Sequence, residues 1–535
     1  MDPTKAYVST AKDGARWLVT ALTDFRNSTL LCAYFGETAK VSETHAVVPF
    51  TVNNVRSLGR LGALTQLGVM EKLYNWPGRF APFTHQIKTS DFFATYLRCF
   101  CLNEMGTGKT LSVLWAMDFL YRKNLVKKVL IICPLSCVED VWETQAQELY
   151  PGQQLGLLVG TKAKRLKTLK QDFHIYVVNH DGIKVIHDEL MAKKWDLIVI
   201  DEATAFKNHE SQRSEAMAAL SGKVSRLWQL SGSIMPNYPT DVWHPAYMAY
   251  PSSVPGYELF KRTVMKPIRL GNKRTKKGRQ ATKWIPTANG EQRAFRILHP
   301  TIRFSKAQCL DLPPTTEDWR KIELTKEQKD ALSSIRAEAQ TSIETENGRI
   351  NVGRAASVAT KIIQVANGVY YHGENRHRIN ASKRISVCKE LIEQSLSKTI
   401  VIATLREVNA YLLEQLECFG AVLIDGTVTG PKRKEALDRF RNDDDCRVCI
   451  IHPKSAGHGL NLQVASTMVW YTPTSDAELW QQASERMARP GQEFHMSVYK
   501  LHACAEEKAL YAVAQGRMTL QAALLNLYSS GEENE

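Results

Sequence analysis

The sequence predicts an α/β protein with two tandem units, each built on a central parallel sheet, preceded by a small accessory domain. Between about 76 and 250, short apolar runs at 129–133, 175–178, 197–200 and 227–230 alternate with helical stretches at 110–121 and 138–149. That is the pattern of helices covering a buried parallel sheet. Between about 316 and 510 the alternation returns, with strand-like runs at 399–403, 421–424, 448–451, 467–470 and 497–501. The stretch between them is too basic and too polar to form a core.

Composition bounds the function. The chain has 535 residues, 44% hydrophobic and 23% charged, ordinary for a globular protein and enough for roughly two to four domains. A net charge of +14 permits binding to nucleic acid or an anionic surface and proves neither. The 11 cysteines are scattered. The close pairs Cys133/Cys137 and Cys446/Cys449 lie in or beside apolar runs, so reduced core thiols fit them better than zinc, which needs four converging ligands. The odd count and the lack of a secretory signal fit a reducing interior. No long uncharged apolar run suggests a membrane span. The expected setting is cytoplasmic, in a bacterium or in the host of a phage.

The expected domains run 1–75 (accessory, with strand candidates at 31–35 and 46–50), 76–250 (first unit), 251–315 (basic interlobe region), 316–510 (second unit) and 511–535 (terminal helix and polar tail). Helical segments cover 506–528, and the tail should fray from 529. From Lys261 to Lys283 there are ten lysines and arginines and no acid. This segment reads as a solvated loop or as a contact to a nucleic-acid backbone.

The chemistry begins at Glu104-Met105-Gly106-Thr107-Gly108-Lys109-Thr110. Gly106, Gly108 and the intervening Thr107 let backbone N–H groups wrap phosphate oxygens. Lys109 can reach the β and γ phosphates, and the Thr110 hydroxyl can sit on magnesium. The spacing is GxGKT, shorter than the full GxxxxGKT. Downstream, the apolar run 197–200 delivers Asp201-Glu202-Ala203 at its carboxyl end, where open α/β sheets bind ligands. Asp201 suits the magnesium shell, and Glu202 suits a base or a group that positions attacking water. Upstream, the Gln86 amide can pair with both donor and acceptor on an adenine edge. Ser231-Gly232-Ser233 follows a strand candidate and suits γ-phosphate sensing, or is a simple turn.

Two segments of the second unit stand out. Ser455 to Leu462 includes Gly457, His458, Gly459 and Asn461, with glycines that permit close backbone approach. Gln481 to Gln492 carries Arg486 and Arg489, three apart and so on one helix face, with Pro490-Gly491 ending that helix. Arginines presented to a transferring γ-phosphoryl group neutralise its charge; such fingers are worth roughly 10³ to 10⁵ in rate in GTPases.

In this order the segments resemble the SNF2 family of superfamily 2 helicase-like ATPases, over about residues 76–510. Asn103 to Thr110 looks like the family's motif I, and Cys133-Pro134-Leu135-Ser136 with Trp142 like motif Ia. Asp201-Glu202-Ala203 is similar to motif II and Leu230-Ser231-Gly232-Ser233 to motif III. Phe260-Lys261 and Asp311-Leu312-Pro313-Pro314 resemble interlobe landmarks. Gly457 to Leu462 looks like motif V, and Gln482-Ala483, Arg486, Arg489 and Gly491-Gln492 like motif VI. Three positions depart: Thr107 replaces a common leucine, His458 a usual glycine or valine, and Pro490 a usual isoleucine.

The resemblance implies two RecA-like lobes with ATP and Mg2+ between them, and translocation along double-stranded or branched DNA without ordinary strand separation. It gives Lys109, Asp201, Glu202, Arg486 and Arg489 catalytic roles, Thr110 and Asp201 the metal, and Gln86, Gly106, Thr107, Gly108, Lys109, Thr110 and Gly459 the nucleotide. No chromodomain-like, bromodomain-like or RING-like segment is evident, which favours a compact bacterial or phage-type translocase acting on forks, recombination intermediates or protein–DNA complexes, with a DNA-bound protein as a further partner. A strand-separating DNA or RNA helicase and a non-enzymatic DNA-binding assembly module are the alternatives. Oligomeric state and preferred DNA structure are open.

Overall fold

Unbroken runs of aliphatic and β-branched residues are buried on both faces when they form parallel strands, and such runs form the two sheets at the centre of this protein. The computed structural model describes residues 7–10, 16–21, 40–41, 45–49, 69–78, 81–232, 234–236, 238–274, 280–309, 312–343, 352–372, 375–456, 460, 462–489, 491–518, 520, 522–523 and 527. The chain divides into two compact units, Met1–Cys309 and Leu310–Glu535.

The first unit opens with β1 (Tyr7–Thr10), β2 (Arg16–Ala21), β3 (Lys40–Val41) and β4 (His45–Pro49), antiparallel in the order β1-β2-β4-β3. The strand candidate at 31–35 lies outside the described residues. Next come β5 (Arg98–Cys101), β6 (Val129–Cys133), β7 (Gly156–Leu158), β8 (Ile175–Asn179), β9 (Leu197–Ile200) and β10 (Arg226–Leu230), followed by β11 (Met265–Arg274), β12 (Gln280–Pro286) and β13 (Thr301–Ile302). Among the described residues the central sheet has seven strands in the order β13-β5-β10-β9-β6-β8-β7, every neighbour parallel. Successive side chains of β6 enter opposite cores. Val129 and Ile131 pack with Trp115, Phe119 and Trp142, and Leu130 and Ile132 with Tyr176, Ile198 and Phe206.

Helices α1 (Thr84–Thr95) and α2 (Lys109–Arg122) precede and follow β5 in the chain. The helix expected over 138–149 is split into a π-helical turn, Val138–Glu143, and α3 (Thr144–Leu149). The wider turn reorients its residues relative to an ordinary helix, and Trp142 within it is fully buried. Further along are α4 (Gln212–Gly222) and α5 (Trp243–Ala249).

The basic segment is not a plain loop. β11 and β12 form an antiparallel hairpin paired from Met265↔Pro286 to Arg269↔Thr282, with Arg274↔Gln280 beyond a register shift. Ile268, Thr282, Trp284 and Ile285 favour a ladder. The base of the hairpin is anchored by buried Met265 and half-buried Trp284, both against the first unit's core, with Lys261 Nζ 4.6 Å from the Trp284 ring centre. The charge of Lys266 does not oppose the pairing, because that side chain is exposed.

The second unit contains β14 (Thr315–Lys321), β15 (Val369–His372), β16 (Asn375–Arg378), β17 (Lys398–Ile402), β18 (Val422–Ile424), β19 (Val448–Ile451), β20 (Ala465–Trp470) and β21 (Met496–His502). Its main sheet runs β14-β21-β20-β17-β19-β18, again parallel. Ile400 and Ile402 enter one core, and Val401 the other. Helices α6 (Ser382–Glu393), α7 (Ala477–Ser484) and α8 (Ala505–Ala514) pack around it. Of the helical segments expected over 506–528, α8 stops at Ala514, because Gly516 adopts φ 70° and its N–H bonds back to Val513 O, a glycine stop.

A buried ion pair ties α6 to α8. Arg384 donates to Glu507 through Nη1 at 2.8 Å and through Nη2 at 2.9 and 3.0 Å, with side chains 1% and 0% exposed. Asn367 Nδ2 and the Ala503 N–H also donate to this carboxylate. Removing one partner strands a buried charge. Glu507→Ala should therefore destabilise the second unit by about 3–5 kcal/mol, whereas Arg384→Met with Glu507→Leu should cost far less; urea unfolding followed by tryptophan fluorescence measures both, and equal costs would refute the assignment.

Candidate nucleotide site

The glycine-rich loop hangs from β5 and runs into α2. Gly106 and Gly108 take φ 80° and 79°, left-handed values that glycine adopts without strain. A Cβ at Gly108 would overlap the Gln86 side-chain amide. The loop is held from three sides. Buried Asn103 donates from Nδ2 to Thr89 Oγ1 at 2.9 Å and accepts at Oδ1 from the Phe304 N–H at 2.9 Å. The Glu104 N–H bonds to Phe304 O at 3.0 Å, and its carboxylate accepts from the Lys306 N–H at 2.9 Å. Thr107 Oγ1 donates to Glu104 O at 2.8 Å. Lys109 Nζ donates to the carbonyls of Asn103 (2.8 Å) and Glu104 (3.2 Å), and Thr110 stands half-buried in the first turn of α2.

Gln86 is placed against this loop. Its Oε1 accepts from the Phe83 N–H at 2.9 Å and its Nε2 donates to Thr107 O at 3.4 Å. His85 Nε2 bonds the same carbonyl at 2.8 Å. Both side chains brace the loop from α1, a use of Gln86 that adenine recognition alone does not anticipate.

Asp201 and Glu202 follow β9 directly. The Asp201 N–H bonds to Ile132 O at 2.8 Å, which carries the strand register one residue past β9. The Trp142 indole N–H donates to Asp201 Oδ2 at 3.1 Å. Burial pushes the Asp201 carboxyl above its ordinary range, opposed by the Lys109 ammonium, the Trp142 bond and a backbone bond from Glu202. Lys109 and Asp201 thus share one electrostatic neighbourhood. Glu202 takes φ 55°, ψ 64°, a left-handed conformation uncommon outside glycine and frequent at functional sites. Ser231, at the end of the adjacent β10, is fully buried and bonds through its N–H to Cys101 O. Gly232 lies against Met105, so that a Cβ there would come 2.9 Å from its Cγ. Ser233 lies outside the described residues.

In the second unit the arginines are not on a helix face. α7 ends at Ser484, and Arg486 and Arg489 sit in the turns beyond it. The Arg486 N–H bonds to Ala483 O and the Arg489 N–H to Met487 O, i–3 and i–2 contacts too tight for an α-helix. Gln492 shapes this segment. Its Nε2 donates to Gln463 O at 3.0 Å, Ala465 O at 2.9 Å and Met487 O at 3.4 Å, tying it to the start of β20. Gly491 at φ 92° abuts Gln463. Arg486 is buried, 4% exposed. Gly457, His458, Gly459, Asn461 and Pro490 lie outside the described residues.

The SNF2-related domain profile matches residues 12–415, and the helicase conserved C-terminal domain profile matches 382–491. The chain belongs to the SNF2-related family. It is an enzyme, a DNA-dependent ATPase of the SNF2 helicase-like class. It is 24% identical over 442 residues to protein p41 of Acyrthosiphon pisum secondary endosymbiont phage 1, covering 79% of this chain and 92% of that one. It is 23% identical over 439 residues to the ATP-dependent helicase BRM of Arabidopsis thaliana, covering 76% of this chain and 20% of that protein. The chain therefore spans nearly all of the phage protein but a fifth of the plant helicase. The Sulfolobus solfataricus SWI2/SNF2 ATPase core in complex with dsDNA is 20% identical, with a TM-score of 0.41 over 86% of this chain and 95% of that one.

The residues of the SNF2 first lobe fit magnesium nucleotide chemically. One hydroxyl and one carboxylate are hard oxygen donors of the kind magnesium accepts when phosphate oxygens supply the rest. The left-handed glycine turn packs so closely on the Gln86 amide that position 108 has no room for a Cβ. Sequence reasoning placed Asn103 in the motif I segment but missed its bracing bonds, and it missed the Phe304–Lys306 brace and His180 and His244 on the segment after β9; only distant pairing reveals them.

Gly108→Ala should weaken binding of a fluorescent ATP analogue by roughly 10-fold or more, since a left-handed alanine costs about 1–3 kcal/mol; unchanged affinity would show that the loop tolerates a side chain there. Burial lowers His180 and His244 from 6.5 to about 4. Both stay neutral while the unfolded chain takes up protons, so their contribution is present above pH 6.5 and is lost as pH falls towards about 4. Urea midpoints of the first unit should fall across that window, and His244→Gln should flatten the fall.

Proposed function

We propose that this SNF2-family ATPase is a double-stranded DNA translocase, hydrolysing ATP to ADP and phosphate to track along duplex DNA and to remodel forks, recombination intermediates or protein–DNA complexes. The observation that carries the reading is the convergence, at the carboxyl edge of one parallel sheet, of Lys109, Asp201 and the left-handed Glu202, within a chain whose sequence matches the family across both lobes. The similarity to a phage protein over 92% of its length supports a compact core of this kind.

In this reading the turn of Gly106, Thr107 and Gly108 cradles the phosphates. Lys109 exchanges its carbonyl partners for β- and γ-phosphate oxygens. Thr110 and Asp201 hold magnesium, which supplies charge neutralisation on the phosphates when bound. Glu202 orients water in line with the γ-phosphate, and Arg486 and Arg489 are assigned the neutralisation of charge during transfer. Gln86 and Gly459 are assigned to the nucleotide, Gln86 also through its hold on the loop. The β11–β12 hairpin, with exposed Lys266 and its neighbouring cations, supports contact with a phosphate backbone, which positions a protein without reading sequence.

ATP turnover measured without nucleic acid and with single-stranded DNA, duplex DNA, forked DNA and RNA tests the reading. Duplex or forked DNA should stimulate most, and Glu202→Gln should bind ATP but reduce turnover to a small residual rate. Stimulation confined to single strands or RNA would move the protein to the strand-separating helicases. Arg262→Glu with Lys266→Glu should weaken duplex binding and flatten its salt dependence, by about 1 unit of log–log slope for each phosphate no longer neutralised; an unchanged slope would remove the hairpin from the DNA track.

A further inference from the structure

Beneath the two acids lies a set of side chains each of which sends a polar atom to the backbone of one segment, 201–206. His180, on the turn after β8, bonds through Nε2 to the Asp201 carbonyl at 2.8 Å. Arg213, on α4, donates from Nη2 to Ala205 O at 2.6 Å. Ser214 Oγ donates to Phe206 O at 3.2 Å, and His244, on α5, bonds through Nδ1 to the same carbonyl at 2.7 Å. Three elements therefore converge on a stretch of six residues. A carbonyl oxygen only accepts, so the His180 proton must sit on Nε2. His180 is itself fixed: its N–H bonds to Cys133 O at 3.0 Å, and its ring meets Phe206 edge-on at 5.3 Å.

The Asp201 carbonyl belongs to the peptide that joins Asp201 to Glu202. Rotating that peptide changes the backbone on both sides of it, and Glu202 already occupies a sparsely populated region, φ 55°. A strained conformation persists only where its surroundings over-determine it. On one side of the peptide the Asp201 N–H is held by Ile132 O; on the other, its oxygen is held by His180.

We propose that His180 is a positioning residue for Glu202: by clamping the Asp201–Glu202 peptide it holds Glu202 in the left-handed conformation that aims its carboxylate at the attacking water. The proposal rests on the reading of Glu202 as the water-positioning group. It assigns His180 no contact with nucleotide, magnesium or DNA, and its effect falls on turnover rather than on binding. Arg213 and His244 secure the far end of the segment and act less directly.

The test compares His180→Met with His180→Gln in the full chain. The two side chains are of similar length, but only glutamine can donate to the carbonyl. His180→Met should lower kcat by roughly 10- to 100-fold, the scale of a small misplacement of a catalytic group, with the KM for ATP and the affinity for a fluorescent ATP analogue within about 3-fold of the starting protein. His180→Gln should recover most of the loss. In a Glu202→Gln background, His180→Met should produce little further change in the residual rate, because two residues acting through one function are not additive. The proposal is overturned by normal turnover in His180→Met, by a loss confined to KM or nucleotide affinity, by failure of Gln to rescue a folded Met variant, or by full additivity with Glu202→Gln. Normal turnover in Glu202→Gln alone would instead remove the role of Glu202, whatever His180 does.

Discussion

Everything at the nucleotide site depends on the parallel register of the first unit's sheet. Parallel strands all finish at the same edge, so the loops that follow β5, β9 and β10 leave the sheet side by side. Backbone bonds continue the ladder past the strand ends. Asp201 N–H reaches Ile132 O, His180 N–H reaches Cys133 O, and Ser231 N–H reaches Cys101 O. Each functional loop therefore starts from a fixed point, and the phosphate loop, the two acids and the motif III serine share one frame.

Around that frame the protein uses buried polar side chains to shape backbone rather than to touch ligand. Asn103 joins α1, the phosphate loop and the segment just after the strand at Thr301–Ile302. His85 and Gln86 converge on one carbonyl of the loop. His180, Arg213, Ser214 and His244 do the same for the segment after β9. Each bond satisfies a polar group, most often a backbone carbonyl, that would otherwise be costly to bury. The same logic recurs in the second unit, where a single glutamine amide, Gln492, shapes the turn that carries both arginines.

The charge environment of Asp201 follows from the same packing. Burial raises the carboxyl, while Lys109 and the Trp142 indole favour its ionised form. Trp142 reaches it from a π-helical turn that no propensity argument anticipates, because the extra residue in that turn is decided by where the indole packs.

Residue pattern alone was enough for the fold class. Apolar runs such as 129–133 and 197–200 form strands because they are short, rich in β-branched residues and bounded by polar residues or proline, which suits a parallel strand buried on both faces better than a helix. Glycines at 106 and 108 mark a tight turn, and both take the left-handed φ that glycine favours. Short or mixed strands were not legible: Arg98–Cys101 and Thr301–Ile302 carry too little periodicity, and only pairing with neighbours makes them strands. The hairpin at 265–286 was masked by its charge, and the end of α7 before Arg486 was fixed by Gln492 binding a distant strand. The left-handed Glu202, the proton on His180 Nε2 and the brace from Phe304 to Lys306 came from the folded chain, because each depends on residues far apart in sequence meeting at a single hydrogen bond.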